Sequence, residues 1–205
     1  MKVAVVGGTG DFGLALAQQL VAAGVEVVIG SRDAGRAAEK AAEVGATGAA
    51  NEDAVRGVDL VVLATKADAA LATAESLAAA IGTTPVLSVA SELRFTKEGV
   101  LPTDADRSIA ERMAAILEAP VAAGLHSLAA STLAGGRAEG DAFVCGDDPA
   151  ATELALELAS QVVTGRALDA GPLASARALE GMTAVIVNLN RRYKGHAGIG
   201  VTGLP

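Results

Sequence analysis

Short apolar runs alternate with longer stretches of helical period along most of this chain. "KVAVV" (2–6) is a continuous apolar run, while "LALAQQLVAAG" (14–24) spaces its apolar residues at helical intervals and stops at Gly24. The pattern repeats. "VEVVIG" precedes "AGRAAEKAAEV", a short helix from Asn51 leads to "DLVVLAT", and "ADAALATAESLAAAIG" follows. "TPVLSVA", "RSIAERMAAILEA" and "PVAAGLH" continue the series. Strands that are apolar throughout, rather than alternating, suit a parallel sheet covered on both faces. Right-handed crossovers then predict an α/β fold of Rossmann type, a doubly wound parallel sheet.

The pattern changes after Phe143. "FVCG" and "RALDAG" read as short strands around the helix "PAATELALELASQV", and "GPLASARALEGMTAVIVNLNRRYK" reads as one long helix opened by Pro172. This predicts a Rossmann domain over 1–142 and a small C-terminal α/β or helical domain over 143–205. "MTAVIVNL" is too apolar all round for a helix with one face in solvent, so a homodimer built on the C-terminal half is expected. The loop "SELRFTKEGVLPTDAD" reads as a lid or a surface excursion.

Between the first strand and the first helix stands "VVGGTGDFG" (5–13), in which Gly8, Gly10 and Gly13 fit G-x-G-x-x-G. Strand, glycine turn and helix together give the motif its weight. Gly8 is expected to allow the turn, Gly10 to admit a pyrophosphate and Gly13 to pack the helix on the sheet. N–H groups at the helix start would face the phosphates.

Composition narrows the partners. Of 205 residues, 51% are apolar but only 2% aromatic, so the core must be Ala, Val and Leu. A net charge of −8 offers no overall basic field for nucleic acid. The single cysteine, Cys145, excludes an intrachain disulfide and a multi-cysteine metal site, and reads as a buried strand-end residue. No charged-then-apolar leader and no long apolar span are evident, so a cytosolic protein is expected, with no metal and no membrane.

The end of the second strand selects the dinucleotide. It reads "VVIGSRD". Ser31 offers a hydroxyl, Arg32 a planar fork suited to phosphate, and Arg36 a second cation one helical turn on. This favours NADP over NAD. A solvated Arg36–Lys40 face is the ordinary alternative. Asp33 could instead cap the helix or hold a ribose.

Side chains for acid–base chemistry are scarce. His126 and His196 are the only histidines and Tyr193 the only tyrosine, and "YKGH" is not a Tyr-x-x-x-Lys spacing. Asp147, Asp148 and Asp169 sit at element ends, where capping is their usual role. Hydride transfer between two redox cofactors needs positioning more than side-chain chemistry.

Taken together, "KVAVVGGTGDFGLALAQQL", "VVIGSRD", "PVAAGLH", "VCGDD", "LDAGPL" and "LNRRYKGHAGI" resemble the NADPH:F420 oxidoreductase family, the NADPH-dependent reductases of the deazaflavin coenzyme F420. The C-terminal segment resembles actinobacterial members. The resemblance implies a homo-oligomer that passes a hydride between the nicotinamide and the deazaflavin. It places Thr9, Gly10, Asp11 and Phe12 at the pyrophosphate, and Ser31, Arg32 and Arg36 at the 2′-phosphate. Thr65 and Ala69 would line the cofactor, Ser91 and Ala130 would flank the nicotinamide, and His126 and Ser127 would lie near the deazaflavin. No obligatory catalytic residue is expected, with His126 a hydrogen-bond donor to the ring or else a packed strand-end histidine. "KADAA" and "VASEL" depart from the family's proline-bearing pattern, and Lys66 is unusual there. Arg191, Arg192, Lys194 and His196 would either meet the phosphate and glutamates of F420 or cap the last helix. Two other readings use the same residues: an NADPH-dependent flavin or ferric-chelate reductase, and a non-catalytic NADP-binding module.

Overall fold

The computed structural model describes residues 1–204. Ten strands and eight helices follow in chain order. They are β1 (Lys2–Val6), α1 (Asp11–Ala22), β2 (Glu26–Ser31), α2 (Ala34–Val44), β3 (Thr47–Ala50), α3 (Asn51–Ala54) and β4 (Leu60–Leu63). Then come α4 (Ala67–Ile81), β5 (Val86–Ser88), β6 (Leu93–Phe95), β7 (Val100–Pro102), α5 (Ile109–Ala114) and β8 (Val121–Gly124). The chain finishes with α6 (Ala130–Gly135), β9 (Ala142–Gly146), α7 (Pro149–Val162), β10 (Ala167–Asp169) and α8 (Ala176–Tyr193).

Eight strands form one sheet in the order β10-β9-β8-β5-β4-β1-β2-β3. Every neighbouring pair is parallel except β8 and β9. The central strands are buried on both faces, as continuous apolar runs require. Val3 and Val5 of β1 pack on one side, with α1, α2, α6 and α7. Ala4 and Val6 pack on the other, with α4, α5 and the start of α8. The period of two in β1 thus feeds two cores from one strand.

Local signals set the helix ends. Asp33 accepts from the Arg36 N–H at 3.1 Å and opens α2, which closes on Gly45 at φ +76°. Asp148 accepts from the Ala151 N–H at 2.8 Å and opens α7, with Pro149 at its first position. Ser108 and Glu111 form a reciprocal capping box on α5.

The structure differs from expectation after residue 142. The expected boundary falls within β9, which pairs with β8, so residues 142–169 extend the first sheet, and the start of α8 packs into its second core. The long helix does not begin at Pro172. Pro172 is extended at ψ 161°, Leu173–Ser175 form a 3-10 turn, and α8 starts only at Ala176. The loop 91–106 contains the antiparallel hairpin β6–β7. Asn188 of α8 grips that hairpin through both backbone groups of Val100, at 2.9 and 2.7 Å. Among the described residues, no helix is long and apolar enough to cross a membrane.

Candidate functional site

A cleft of about 750 Å³ opens where several sheet strands end. Its lining follows the carboxyl ends of parallel strands: Gly10–Phe12 after β1, Ala64–Asp68 after β4, Val89–Ser91 after β5, and Leu125 and His126 after β8. That edge is where open α/β sheets bind ligands. Leu93 and Phe95 of β6, Leu128, Ala130 of α6 and Thr183 of α8 complete the wall.

The turn beside β1 is built from backbone. Gly7, not Gly8, takes the left-handed conformation, at φ +82°. A Cβ on Gly7 would lie 2.8 Å from the Ala64 carbonyl oxygen. Gly8 is buried, and a Cβ there would lie 2.9 Å from Ile29 Cγ2. A Cβ on Gly13 would lie 2.5 Å from the Gly7 carbonyl oxygen, so the close approach at Gly13 is of α1 to the turn. Gly10 caps α1 without any side-chain hydrogen bond, is exposed, and would meet only Gly7 O at 3.4 Å if given a Cβ. The free N–H groups of the first turn of α1 therefore face an open space, the arrangement that suits a pyrophosphate.

Beyond this turn lie Ser31, Arg32 and Arg36. Ser31 closes β2, alongside the turn, where the Gly7 N–H donates to Gly30 O at 3.2 Å. Arg32 and Arg36 are exposed and form no ion pair among the described residues. Asp33 is engaged as the α2 cap, and the Asp33 N–H also reaches Ser31 Oγ at 3.3 Å. The two guanidinium groups are thus available to an anion at the strand end.

The opposite wall is built from side chains. Leu125, directly after β8, is buried and left-handed at φ +65°, a rare state for a bulky residue. It turns the chain so that His126 lines the cleft. His126 is 4% exposed, and burial pushes its imidazole down to about 4, so the ring is neutral at ordinary pH. Its Nδ1 lies 3.1 Å from Ser91 Oγ, which lies 2.7 Å from Thr183 Oγ1. Thr183 Oγ1 donates to the His126 carbonyl at 2.9 Å. The His126 Nε2 and Thr65 Oγ1 are buried without a partner. Two orphaned polar atoms in one cleft are what a polar ligand would satisfy.

The structure gathers Gly10, Asp11, Phe12, Thr65, Ser91, His126 and Ala130 into this cleft. Besides Ser31, Arg32 and Arg36 at the strand end, Gly8, Thr9, Ala69 and Ser127 lie outside its lining. Thr9 sits within the glycine turn, and Ala69 is exposed on α4. Ser127 is buried and donates to the Asp141 carbonyl at 3.2 Å, which ties the His126 loop to the base of β9. Asp141 is a structural anchor. Its carboxylate accepts from the Arg166 N–H at 2.7 Å, from Arg166 Nη2 at 3.0 Å and from the Val201 N–H at 2.8 Å. These partners, Arg166 foremost, hold its carboxyl well below the usual range. The latch brings the chain after α8 back across the molecule. It leaves His196 Nδ1 3.2 Å from Ser131 Oγ, next to Ala130, and Arg191 sits 5.5 Å over the Phe95 ring. Lys66 stands at the cleft wall as the N-terminal cap of α4. Cys145 is buried in β9, and burial pushes its thiol up to about 12, so it is inert.

Sequence reasoning missed Thr183, Leu93 and Phe95. Thr183 reaches the cleft because α8 crosses beside β8, a contact between positions 57 residues apart, and no local pattern signals it.

A mainly parallel sheet with a glycine turn and a cleft at its carboxyl edge defines a Rossmann-type protein similar to NADP-binding reductases. Comparison with known proteins agrees. The family described as "NADP oxidoreductase coenzyme F420-dependent" matches residues 2–92. An F420-dependent NADP reductase of Methanothermobacter marburgensis is 37% identical, with all of both chains covered. Its counterpart in Methanocaldococcus jannaschii is 33% identical over all of this chain and 99% of its own. A solved structure from Arthrobacter sp. FB24, described as a candidate F420 dependent NADP-reductase, superposes with a TM-score of 0.82 at 26% identity over all of both chains. The chain belongs to the F420-dependent NADP reductase family.

Proposed function

We infer that this protein transfers a hydride between NADP(H) and the deazaflavin coenzyme F420. The observation that carries the reading is the 37% identity to an F420-dependent NADP reductase over the full length of both chains. The two coenzymes supply the redox chemistry between them. The protein binds, orients and keeps water out.

The residues present fit NADP(H). On this reading the N–H groups at the start of α1 hold the pyrophosphate, Arg32 and Arg36 grip the 2′-phosphate, and Ser31 adds a hydroxyl. Thr65, Ser91 and Ala130 would hold the nicotinamide in the cleft. His126, Leu93 and Phe95 would hold the deazaflavin. Small residues at Ala64, Ala90 and Ala130 would leave room for two flat rings to approach closely. Arg191, over the Phe95 ring, and His196, beside Ser131, would meet the anionic tail of F420. No side-chain proton enters the transfer, and the neutral, buried His126 is consistent with that.

The protein works as a homodimer on the same reading. Val185 (52% exposed), Leu189 and Tyr193 line the outer face of α8, and Phe95 and Leu101 of the hairpin are exposed as well. Such an apolar surface is a natural subunit contact. Light scattering gives a dimer mass; a monomer that persists at high concentration removes the assignment. A cytosolic location goes with it.

An absorbance assay with NADPH and each acceptor in turn tests the activity. F420 bleaches on reduction. Flavin or ferric chelate turned over in place of F420 would favour the other reductase reading, and no turnover at all would favour a binding module.

A further inference from the structure

We propose that Ser91 and Thr183 fix the tautomer of His126, so that its Nε2 lone pair accepts a hydrogen bond from an amide or imide N–H of a ligand ring. The hydroxyl protons decide the direction. Thr183 has one hydroxyl hydrogen, and its Oγ1 lies 2.9 Å from the His126 carbonyl oxygen, which can only accept. That hydrogen is committed. Ser91 must therefore be the donor in the 2.7 Å contact with Thr183 Oγ1. Ser91 then has only lone pairs to offer His126 Nδ1 at 3.1 Å, so Nδ1 carries the proton.

A neutral imidazole protonated at Nδ1 leaves Nε2 as an acceptor. Nε2 is buried without a partner on a side chain that lines the cleft. Leaving a buried acceptor unmet costs as much as a lost hydrogen bond, so a donor on the ligand is the natural complement. This reverses the donor role expected for His126 from the sequence. It also makes Thr183 and Ser91 positioning residues. The proposal rests on the reading of the cleft as the site of NADP(H) and F420. Two donors of the same chemistry fit there: the carboxamide N–H of the nicotinamide and the imide N–H of the pyrimidinedione ring of the deazaflavin.

Nitrogen-15 NMR of the histidine-labelled free protein reads the tautomer directly. The chain has two histidines, and His126→Asn assigns the signals. Wild-type His126 is expected to be protonated at Nδ1 and bare at Nε2. In Thr183→Val the freed Ser91 hydroxyl turns to Nδ1 and the ring proton moves to Nε2, whereas Thr183→Ser keeps the wild-type form. Binding of NADP⁺ and of F420, measured separately, then names the donor. Thr183→Val weakens one ligand about five- to tenfold and leaves the other within about twofold. A loss on NADP⁺ assigns the carboxamide, and a loss on F420 the imide. A wild-type ring protonated at Nε2, or a shifted tautomer with both affinities intact, overturns the proposal. The NMR and NADP⁺ measurements need no F420 turnover. Failure of F420 to react, with NADP⁺ affinity still dependent on Thr183, would sink the F420 reading and leave this one standing.

Discussion

The two walls of the cleft are made in opposite ways. The β1–α1 wall is backbone: a left-handed Gly7, a Gly13 pressed on the Gly7 carbonyl, and free N–H groups behind Gly10. It is assembled within a dozen residues of chain. The His126 wall is side chain: Ser91, His126 and Thr183 come from three distant segments, and Asp141, Arg166 and Val201 anchor the loop from behind. A backbone site can be occupied by any residue that stays out of the way, so its tolerance is steric. A side-chain site depends on proton placement, so its tolerance is chemical. The same contrast suits the two ligands, since a phosphate chain asks for N–H groups and charge while a flat ring asks for shape and a few directed bonds.

The sharpest way to break the first wall is to fill it. Gly13→Ala places a Cβ 2.5 Å from a backbone oxygen that has nowhere to go. We expect a loss of about 2–3 kcal/mol in urea unfolding, with NADP⁺ binding impaired, because overpacking cannot relax against backbone. A variant as stable as wild type would mean that the turn is softer than this packing implies.

The second wall should respond to pH instead. The folded His126 sits at about 4, below its ordinary value near 6.5. A folded value depressed this way means that the unfolded chain binds more protons between those limits. Stability is then full above about pH 6.5 and falls as the pH drops toward 4, by up to about 3 kcal/mol. His126→Asn should flatten that slope in unfolding curves taken across the window. An unchanged slope would assign the acid sensitivity to other groups.

How far each wall was legible follows from how it is made. The glycine turn, α2 and α7 announce themselves locally, through spacing, Asp33 and Gly45, and Asp148 with Pro149. The parallel sheet follows from apolar runs that do not alternate. The antiparallel entry of β9 did not, because a short apolar run carries no strand direction. Thr183 and the hairpin contribution to the cleft were hidden for a related reason. Their place is set by the docking of α8, through Asn188 on Val100 and Thr183 on the His126 carbonyl, and no neighbour in sequence encodes that. Ser127 was expected near the deazaflavin from the family resemblance alone, and its hydroxyl donates to the Asp141 carbonyl, a contact no local pattern signals.

Smaller effects sharpen the comparison. Arg32→Ala should weaken NADPH roughly tenfold to a hundredfold and leave NADH nearly unchanged, as the loss of one charged contact of about 1.5–3 kcal/mol requires. A parallel fall in NADH affinity would make Arg32 structural. His126→Ala should slow single-turnover transfer at saturating F420 by only about tenfold. An obligatory proton donor would cost about 10²–10⁴-fold, so a collapse of that size with F420 affinity intact would contradict catalysis by placement.

The central claim is direct hydride transfer between two coenzymes held in one cleft, and deuterium tests it most directly. NADPH carrying deuterium at the transferring position of the nicotinamide is incubated with enzyme and F420 in ordinary water. The reduced deazaflavin is then analysed by mass spectrometry. Direct transfer predicts one deuterium retained per reduced F420, with none lost to solvent. Reduced F420 without the label, or labelled NADPH consumed while F420 stays oxidised, would contradict it.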